Sequence, residues 1–104
     1  MASFLASGVV LDNSTDNTIL FQDANNSYLA LTILATIHGS ASTNVDAIVS
    51  GSLGNFYLTK NNQEPAGESL ELVANRVVIP SGQTLQVRAS ASGEMTVYTG
   101  LYKI

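Results

Sequence analysis

The sequence predicts an all-β protein, a single antiparallel β-sandwich of jelly-roll type with eight or nine strands. Gly and Pro recur at intervals that leave segments of about five to ten residues, the usual length of a strand. These segments are rich in Val, Ile, Leu, Thr and Tyr, which favour strands. No segment of about twelve residues has the spacing of an amphipathic helix. The 104 residues suit one domain, spanning 1–104, with one core.

The predicted strands follow one another from the start of the sequence. Residues 1–16 form an N-terminal arm, whose apolar part makes the first strand and ends at the polar run Asp12-Asn13-Ser14. We expect strands at 4–11, 18–23, 28–38, 45–50, 54–60, 68–73, 75–80, 83–90 and 95–103. Because Asn and Gly accept the backbone conformations of tight turns and Pro ends strands, we expect turns at Asn61-Asn62, Pro80-Ser81-Gly82 and Ser92-Gly93.

The longest predicted strand, 28–38, is apolar on both faces. One face carries Leu29, Leu31, Ile33 and Ile37, and the other carries Ala30 and Leu34. Two interpretations fit this pattern. Either the second face lies under a long loop, or it forms an apolar patch used for subunit contact.

The last two strands each have one apolar face. In the strand 83–90, Leu85, Val87 and Ala89 alternate with polar residues, so one face belongs to the core and the other to solvent. The final strand has Met95, Val97 and Leu101 on one face, and Tyr98 with Tyr102 on the other. The two tyrosines suit an interface, since Tyr offers a large contact area at low entropic cost; alternatively they pack against neighbours in their own sheet.

These assignments predict a core and an interface. The predicted core consists of Leu29, Leu31, Ile33, Leu70, Leu72, Val77, Ile79, Leu85, Val87, Val97 and Leu101. The predicted interface residues are Tyr98, Tyr102 and Leu34.

Charge and cysteine content exclude several classes of function. Charged residues make up 12% of the chain, and the net charge is −4, so the surface is covered mainly by uncharged polar groups, as suits a protein buried in an assembly. The chain's four basic residues are scattered, whereas nucleic-acid binding needs them clustered.

Without cysteine there is no disulfide and no thiolate metal site. Since the first residues lack both a basic region and a long apolar stretch, neither a signal peptide nor a membrane anchor is expected.

The candidate catalytic residues do not form a recognisable pattern. Histidine-dependent catalysis would have to use His38, the only histidine, but no Gly-x-Ser-x-Gly turn is present. Glu68 and Glu71, three apart in a predicted strand, would point to opposite faces and could not share acid–base work. No phosphate loop, zinc motif or dinucleotide fingerprint occurs. We therefore expect neither an enzyme nor a cofactor.

The acidic run 12–17 partly matches a calcium-binding loop. Asp12 and Asp16 place oxygen donors in the run, and Asp23 stands where the last ligand of such a loop would be. The central Gly is replaced by Asn17, and no helices flank the loop. A polar turn explains the same residues more simply, so no metal is expected.

Between Asn17 and Ile104 several segments follow one another in a fixed order: Thr18-Ile19-Leu20-Phe21, a long apolar strand ending in Thr36-Ile37-His38-Gly39-Ser40-Ala41-Ser42, Tyr57-Leu58, Pro65-Ala66-Gly67-Glu68-Ser69-Leu70-Glu71-Leu72 and Val77-Val78-Ile79-Pro80-Ser81-Gly82-Gln83-Thr84-Leu85-Gln86-Val87-Arg88-Ala89. This layout resembles that of small β-sandwich virion proteins of tailed bacteriophages. After Gly67 and Gly82, two polar residues precede a Leu, at Leu70 and Leu85, that begins the outgoing strand.

The resemblance implies a structural protein of the virion with no catalytic residues. It implies a head decoration (cement) protein that docks on a larger protein such as the major capsid protein, or else a tail, neck or fibre component. Proteins of this kind are commonly trimers, so we expect a homotrimer. A carbohydrate-binding sandwich stays open from the residues alone, since the chain lacks Trp but has four Tyr.

Overall fold

A computed structural model of the chain describes residues 4–11, 18–38, 43–65, 67–72, 76–89 and 95–104. These residues form strands and turns, with no helix among them. The nine strands are β1 (Phe4–Leu11), β2 (Thr18–Gln22), β3 (Tyr28–Ile37), β4 (Thr43–Gly51), β5 (Gly54–Glu64), β6 (Ser69–Glu71), β7 (Val77–Ile79), β8 (Thr84–Ala89) and β9 (Met95–Lys103). Each predicted strand is present, which confirms the all-β prediction.

The chain folds as one long hairpin that wraps around itself. Gly51 pairs with Gly54 across the β4–β5 turn, and Phe4 pairs with Tyr102 where the outermost strands β1 and β9 meet. Between them, β3 pairs with both β6 and β7, and β2 pairs with β8. In all these pairings the partners' residue numbers add to about 106, because the two halves run antiparallel throughout. This wrapped hairpin is the jelly roll.

Wrapping produces two packed antiparallel sheets. Sheet I has the order β1-β9-β3-β6, with β7 on the same edge of β3 as β6. Sheet II has the order β2-β8-β4-β5. The core lies between their inner faces and is built from apolar residues of both sheets.

Most of the predicted core is confirmed. Seven of its members are buried: Ile33, Leu72, Ile79, Leu85, Val87, Val97 and Leu101. Leu70 and Val77 are half-buried and pack against this cluster. The prediction was wrong for Leu29 and Leu31, which lie outside the core.

A β-bulge in β3 explains that error. The pairing of β3 with β9 shifts register between Ala30 and Thr32, so Leu31 is the extra residue. Before the bulge, Tyr28 and Ala30 face the core; after it, Ile33 does. The prediction treated β3 as an unbroken alternating strand. One inserted residue reverses the face of every strand residue before it.

The predicted turn at Asn61-Asn62 was also wrong. Both residues lie inside β5, which continues to Glu64 and is bulged where it pairs with β4. Asn tolerates the irregular backbone of a bulge as well as that of a turn, so the residue type did not distinguish them. The turn at Pro80-Ser81-Gly82 is confirmed: Gly82 has a φ of 82°, and the Gln83 N–H donates to the Pro80 carbonyl at 3.1 Å. Ser92-Gly93 lies outside the described residues.

Nowhere in the described ranges is there a helix of the length and apolar character needed to span a membrane.

Candidate functional site: an apolar outer face and an edge cleft

The three predicted interface residues lie together on the outer face of sheet I. Leu34 of β3 pairs directly with Tyr98 of β9, and Tyr102 lies four residues further along β9 on the same face. Tyr98 is 54% exposed and Leu34 38%. Tyr102 is half-buried. The structure therefore joins these residues into one surface, which we call the apolar face.

Glycines keep the centre of this face flat. Gly8 of β1 pairs with Tyr98, and a Cβ at Gly8 would lie 3.5 Å from Cδ1 of the Tyr98 ring. Gly100 of β9 pairs with Thr32, and a Cβ there would lie 3.5 Å from the Thr32 methyl group. The Tyr98 ring thus lies against β1 instead of standing away from the sheet.

A row of apolar side chains crosses the same face near one end. Phe4, Tyr102, Leu29 and Val78 are cross-strand partners on β1, β9, β3 and β7. The Phe4 and Tyr102 rings pack at an angle of 60°, with centroids 5.1 Å apart. Phe4 is 69% exposed and Val78 is 53% exposed, so both ends of the row are open to contact.

Sheet I is almost free of charge. Its strands contain two charged residues, Glu71 and Lys103. Lys103 pairs with Tyr28, whose side chain faces the core, so Glu71 is the charge on the apolar face. Glu71 accepts hydrogen bonds from the Thr32 hydroxyl and, at 2.8 Å, from the Ile33 N–H. These bonds hold its carboxylate against β3 just after the bulge.

An apolar cleft opens where the edges of the two sheets meet. It has a volume of about 290 Å³ and lies between β5 of sheet II and β7 of sheet I. Its lining consists of Val49, Leu53, Phe56, Leu58, Val77, Val78, Pro80 and Gln83. Sequence analysis missed the cleft, because these residues come from separate segments and no local pattern connects them.

Gln83 is the polar side chain of the cleft wall. It is 2% exposed, and within the described ranges its Oε1 has no hydrogen-bond partner. The carboxamide lies over Gly51, where a Cβ would come within 2.6 Å of it, so Gly51 makes room for it. A buried carbonyl oxygen without a donor is costly unless something supplies one.

Asp23 makes a turn. Its Oδ1 accepts from the N–H groups of Asn25 and Asn26, and its Oδ2 accepts from the Asn26 amide and the Tyr28 hydroxyl. The Asn25 N–H, followed by the Tyr28 hydroxyl and the Asn26 amide, lowers the pKa of Asp23 to about 2. Asp12 and Asp16 lie outside the described residues. Within the described part of the chain, no three His, Asp or Glu side chains are grouped as metal ligands.

His38 lies at the end of β3 with its side chain exposed. Its Nε2 is 3.1 Å from the Thr96 hydroxyl, and that is the contact the structure shows for it. Glu68 is exposed just before β6, while Glu71 is bonded to β3. The two glutamates therefore have separate surroundings.

Glu64, at the end of β5, is a buried carboxyl group that sequence analysis missed. It is 1% exposed, and neither oxygen has a hydrogen-bond partner among the described residues. Burial, with a smaller contribution from the charge of Glu68, raises its pKa to about 7. No local pattern predicts this burial, because it depends on packing at the end of sheet II.

Tyr57 is the exposed tyrosine of sheet II. The Lys60 ammonium lies 4.6 Å from the centroid of its ring. The cation covers one face of the ring and competes with any sugar that would stack there.

No protein-family model matches the chain, and no curated protein sequence matches it significantly. Among solved structures it is similar to a structure of Bacillus endospore appendages, described as a novel family of disulfide-linked pili, with a TM-score of 0.56 and 10% identity over 98% of this chain and 86% of that one. It is also similar to chains of infectious bursal disease virus, 14% identical in both cases. For the Gx strain the TM-score is 0.52, covering 99% of this chain and 31% of that one. For the Gt strain the TM-score is 0.50, covering 98% and 32%.

This chain spans about a third of the length of the two virus chains. At such low identity the comparisons establish the fold. The class is a jelly-roll β-sandwich with an exposed apolar face and an edge cleft.

Proposed function

We propose that the chain is a structural protein of a virion, a capsid decoration protein of a tailed bacteriophage that docks on the head and stabilises it. The observation that carries the proposal is the apolar face of sheet I. Soluble monomers rarely expose large contiguous apolar surfaces, and those that persist usually mark a contact site. The solved structures with this fold include virus and pilus proteins, which supports an assembled structural role.

The composition of the apolar face suits docking. Tyr98 and Leu34 supply exposed apolar area at its centre, and Tyr is among the residues enriched in interface cores. Since the Glu71 carboxylate already accepts a hydrogen bond from the Ile33 N–H of β3, a partner need not provide it with a counter-ion. Covering this face would therefore remove apolar area from water and desolvate little charge.

The proposed partners are other copies of the chain, as a homotrimer, and a larger virion protein such as the major capsid protein. Nucleic acid and membrane are not among them. A tail, neck or fibre component is the alternative within the same particle and would use the same surface. The proposed location is the virion, and no residue is proposed to be catalytic.

Binding to phage heads tests the docking role. Heads that lack the protein are incubated with the purified chain and sedimented, and the wild-type chain is expected to sediment with them. The double variant Tyr98→Ser with Tyr102→Ser should lose most of this binding and keep its β-structure by circular dichroism. Binding to purified tails instead of heads would indicate the tail alternative.

Tyr57→Ser is the matched control, because Tyr57 is exposed to a similar extent on the other sheet. It should bind as the wild type does. Equal binding by all three proteins would overturn the assignment of the apolar face.

A further inference from the structure

We propose that copies of this chain join edge to edge, with β1 of one copy against β7 of the next and Leu5 entering the neighbour's cleft. This inference rests on the proposed function, since it states how the copies of the homotrimer touch. A closed ring of three needs two different patches that fit each other, because a patch that meets its own copy gives a pair. The two edges of sheet I supply such patches.

The strand directions are compatible with this addition. β1 is antiparallel to β9, β9 to β3, and β3 to β7. β1 therefore runs antiparallel to β7. In a ring of three, rotation about an axis parallel to the strands keeps the strand directions, so β1 of the second copy meets β7 of the first as an antiparallel neighbour.

β1 lacks the features that usually protect an edge strand. It pairs with β9 on one side, and none of the described strands pairs with its other edge. Its eight residues include no charged residue and no proline, which are the common means of preventing edge-to-edge association. An edge of this kind is a template for another strand.

The side chains also correspond. The apolar row across sheet I begins at Phe4 and ends at Val78, so an added β1 in the same row places its Phe4 beside Val78. In that register Leu5 is opposite Val77. Leu5 pairs with the buried Leu101 and so faces inward, yet it is 40% exposed, and Val77 is part of the cleft wall. Leu5 of the added copy would thus extend the inner layer into the cleft.

The two lateral sides of the sandwich differ in the way this contact requires. On the β1 side, the Ser7 hydroxyl donates to the Leu20 carbonyl at 2.6 Å and links β1 to β2. On the β7 side, the sheets part to form the cleft, and the Gln83 Oε1 has no hydrogen-bond partner among the described residues. An incoming strand brings apolar side chains for the cleft.

Engineered cysteines test the contact directly, because the chain has none of its own. Single variants Leu5→Cys and Val77→Cys are mixed in equal amounts and oxidised gently. Directly opposed residues of antiparallel strands lie within disulfide range. We expect disulfide-linked dimers that contain one copy of each variant, identified by mass spectrometry of the linked peptides. Dimers of Leu5→Cys with itself as the main product would instead show a contact between two β1 edges and would overturn the inference.

Leu34→Cys separates this inference from the docking proposal. Leu34 lies on the apolar face and away from both edges of sheet I. Oligomers in sedimentation without a Leu5–Val77 link would overturn the edge contact and leave the proposed function standing. A Leu5–Val77 link together with full head binding by the tyrosine double variant would uphold the edge contact and overturn docking through the apolar face. Disulfide-linked Leu34→Cys dimers without the Leu5–Val77 link would assign self-association to the apolar face instead.

A charge variant provides a second measurement. Leu5→Lys should lower the association constant by at least about tenfold, because an ammonium group would have to enter an apolar cleft. Its melting temperature should stay near that of the wild type, since the side chain is already partly exposed. Ile19→Lys, at an exposed position of β2 in sheet II, is the control and should associate normally. Equal association by both variants would overturn the inference.

Discussion

The outer faces of the two sheets have the same backbone architecture but differ in how many polar and charged side chains they carry. Sheet II presents a polar ladder, in which Gln86 donates to Thr84 at 2.8 Å and Thr84 donates to the Ser50 carbonyl at 3.1 Å. Beside it, Arg88 and Asp46 form an ion pair at 3.6 Å. Sheet I presents aromatic, aliphatic and threonine side chains around one bonded carboxylate, Glu71.

The two faces therefore differ in how much polar surface a partner would have to cover. On sheet II, polar side chains that bond to one another lie beside the exposed apolar residues Ile19 and Tyr57. On sheet I the exposed area of residues such as Tyr98 and Phe4 gains by leaving water. Covering the outer face of sheet I would therefore desolvate fewer polar and charged groups than covering that of sheet II.

The largest expected effect contrasts an inner face with the adjacent outer face. Val87→Asp should abolish folding, because an unpaired carboxylate in the core costs several kcal/mol against a typical stability of about 5–15 kcal/mol. Val87 is fully buried in β8. Gln86→Asp, one residue away on the outer face, should fold. Circular dichroism and thermal unfolding measure both, and a cooperative melt of Val87→Asp near the wild-type temperature would refute the face assignment.

A comparison of inner and outer positions also tests the bulge in β3. Ile33→Asp should behave like Val87→Asp, because Ile33 is fully buried after the bulge. Leu31→Asp should destabilise less, since Leu31 is the extra residue and lies outside the core. Equal loss of folding in both variants would restore the unbroken alternation that the sequence suggested.

A smaller effect concerns the buried Glu64 of sheet II and depends on pH. Its folded-state pKa of about 7 lies above 4.5, the usual value of a glutamate side chain, so the folded protein binds the proton more tightly than the unfolded chain. Its contribution to stability is complete below about pH 4.5 and is lost as pH rises through 7. We expect the free energy of unfolding to fall by on the order of a few kcal/mol. Denaturant unfolding at pH 5 and pH 8 measures it.

Glu64→Gln provides the control for that experiment. The variant cannot ionise at this position, so its stability should change less between pH 5 and pH 8 than that of the wild type. At acid pH the relevant group is Asp23. Because its pKa is lowered, the stability that its ionised carboxylate gives the fold is lost below about pH 4. A wild-type stability that rises from pH 5 to pH 8 would contradict the burial of Glu64.

The smallest effect concerns Glu71, the carboxylate of sheet I. Glu71→Ala should lower the free energy of unfolding by about 1–2 kcal/mol, because it removes the bonds from the Thr32 hydroxyl and the Ile33 N–H. Glu68→Gln, at an exposed position nearby, should change it by less than about 0.5 kcal/mol. Denaturant titration at pH 5 keeps the ionisation of Glu64 out of the comparison, and equal stability of the two variants would show that Glu71 does not hold the bulge.

Local sequence patterns predict the strands and most of their inner faces. In β8 and β9 the alternation of Leu85, Val87, Val97 and Leu101 with polar or aromatic residues is local information, and the structure follows it. The same local reasoning placed Tyr98 and Tyr102 on one face of β9.

Contacts that depend on the register between distant segments come from the tertiary structure. It brought Leu34 beside Tyr98 across 64 positions of the chain, inserted Leu31 as a bulge, and left Gln83 facing a cleft whose walls come from β4, β5 and β7. Alternation along one strand indicates which residues share a face, but it does not indicate which strand lies opposite. That choice is made when both sheets bury their apolar faces together, because the free energy of burial depends on the whole set of contacts.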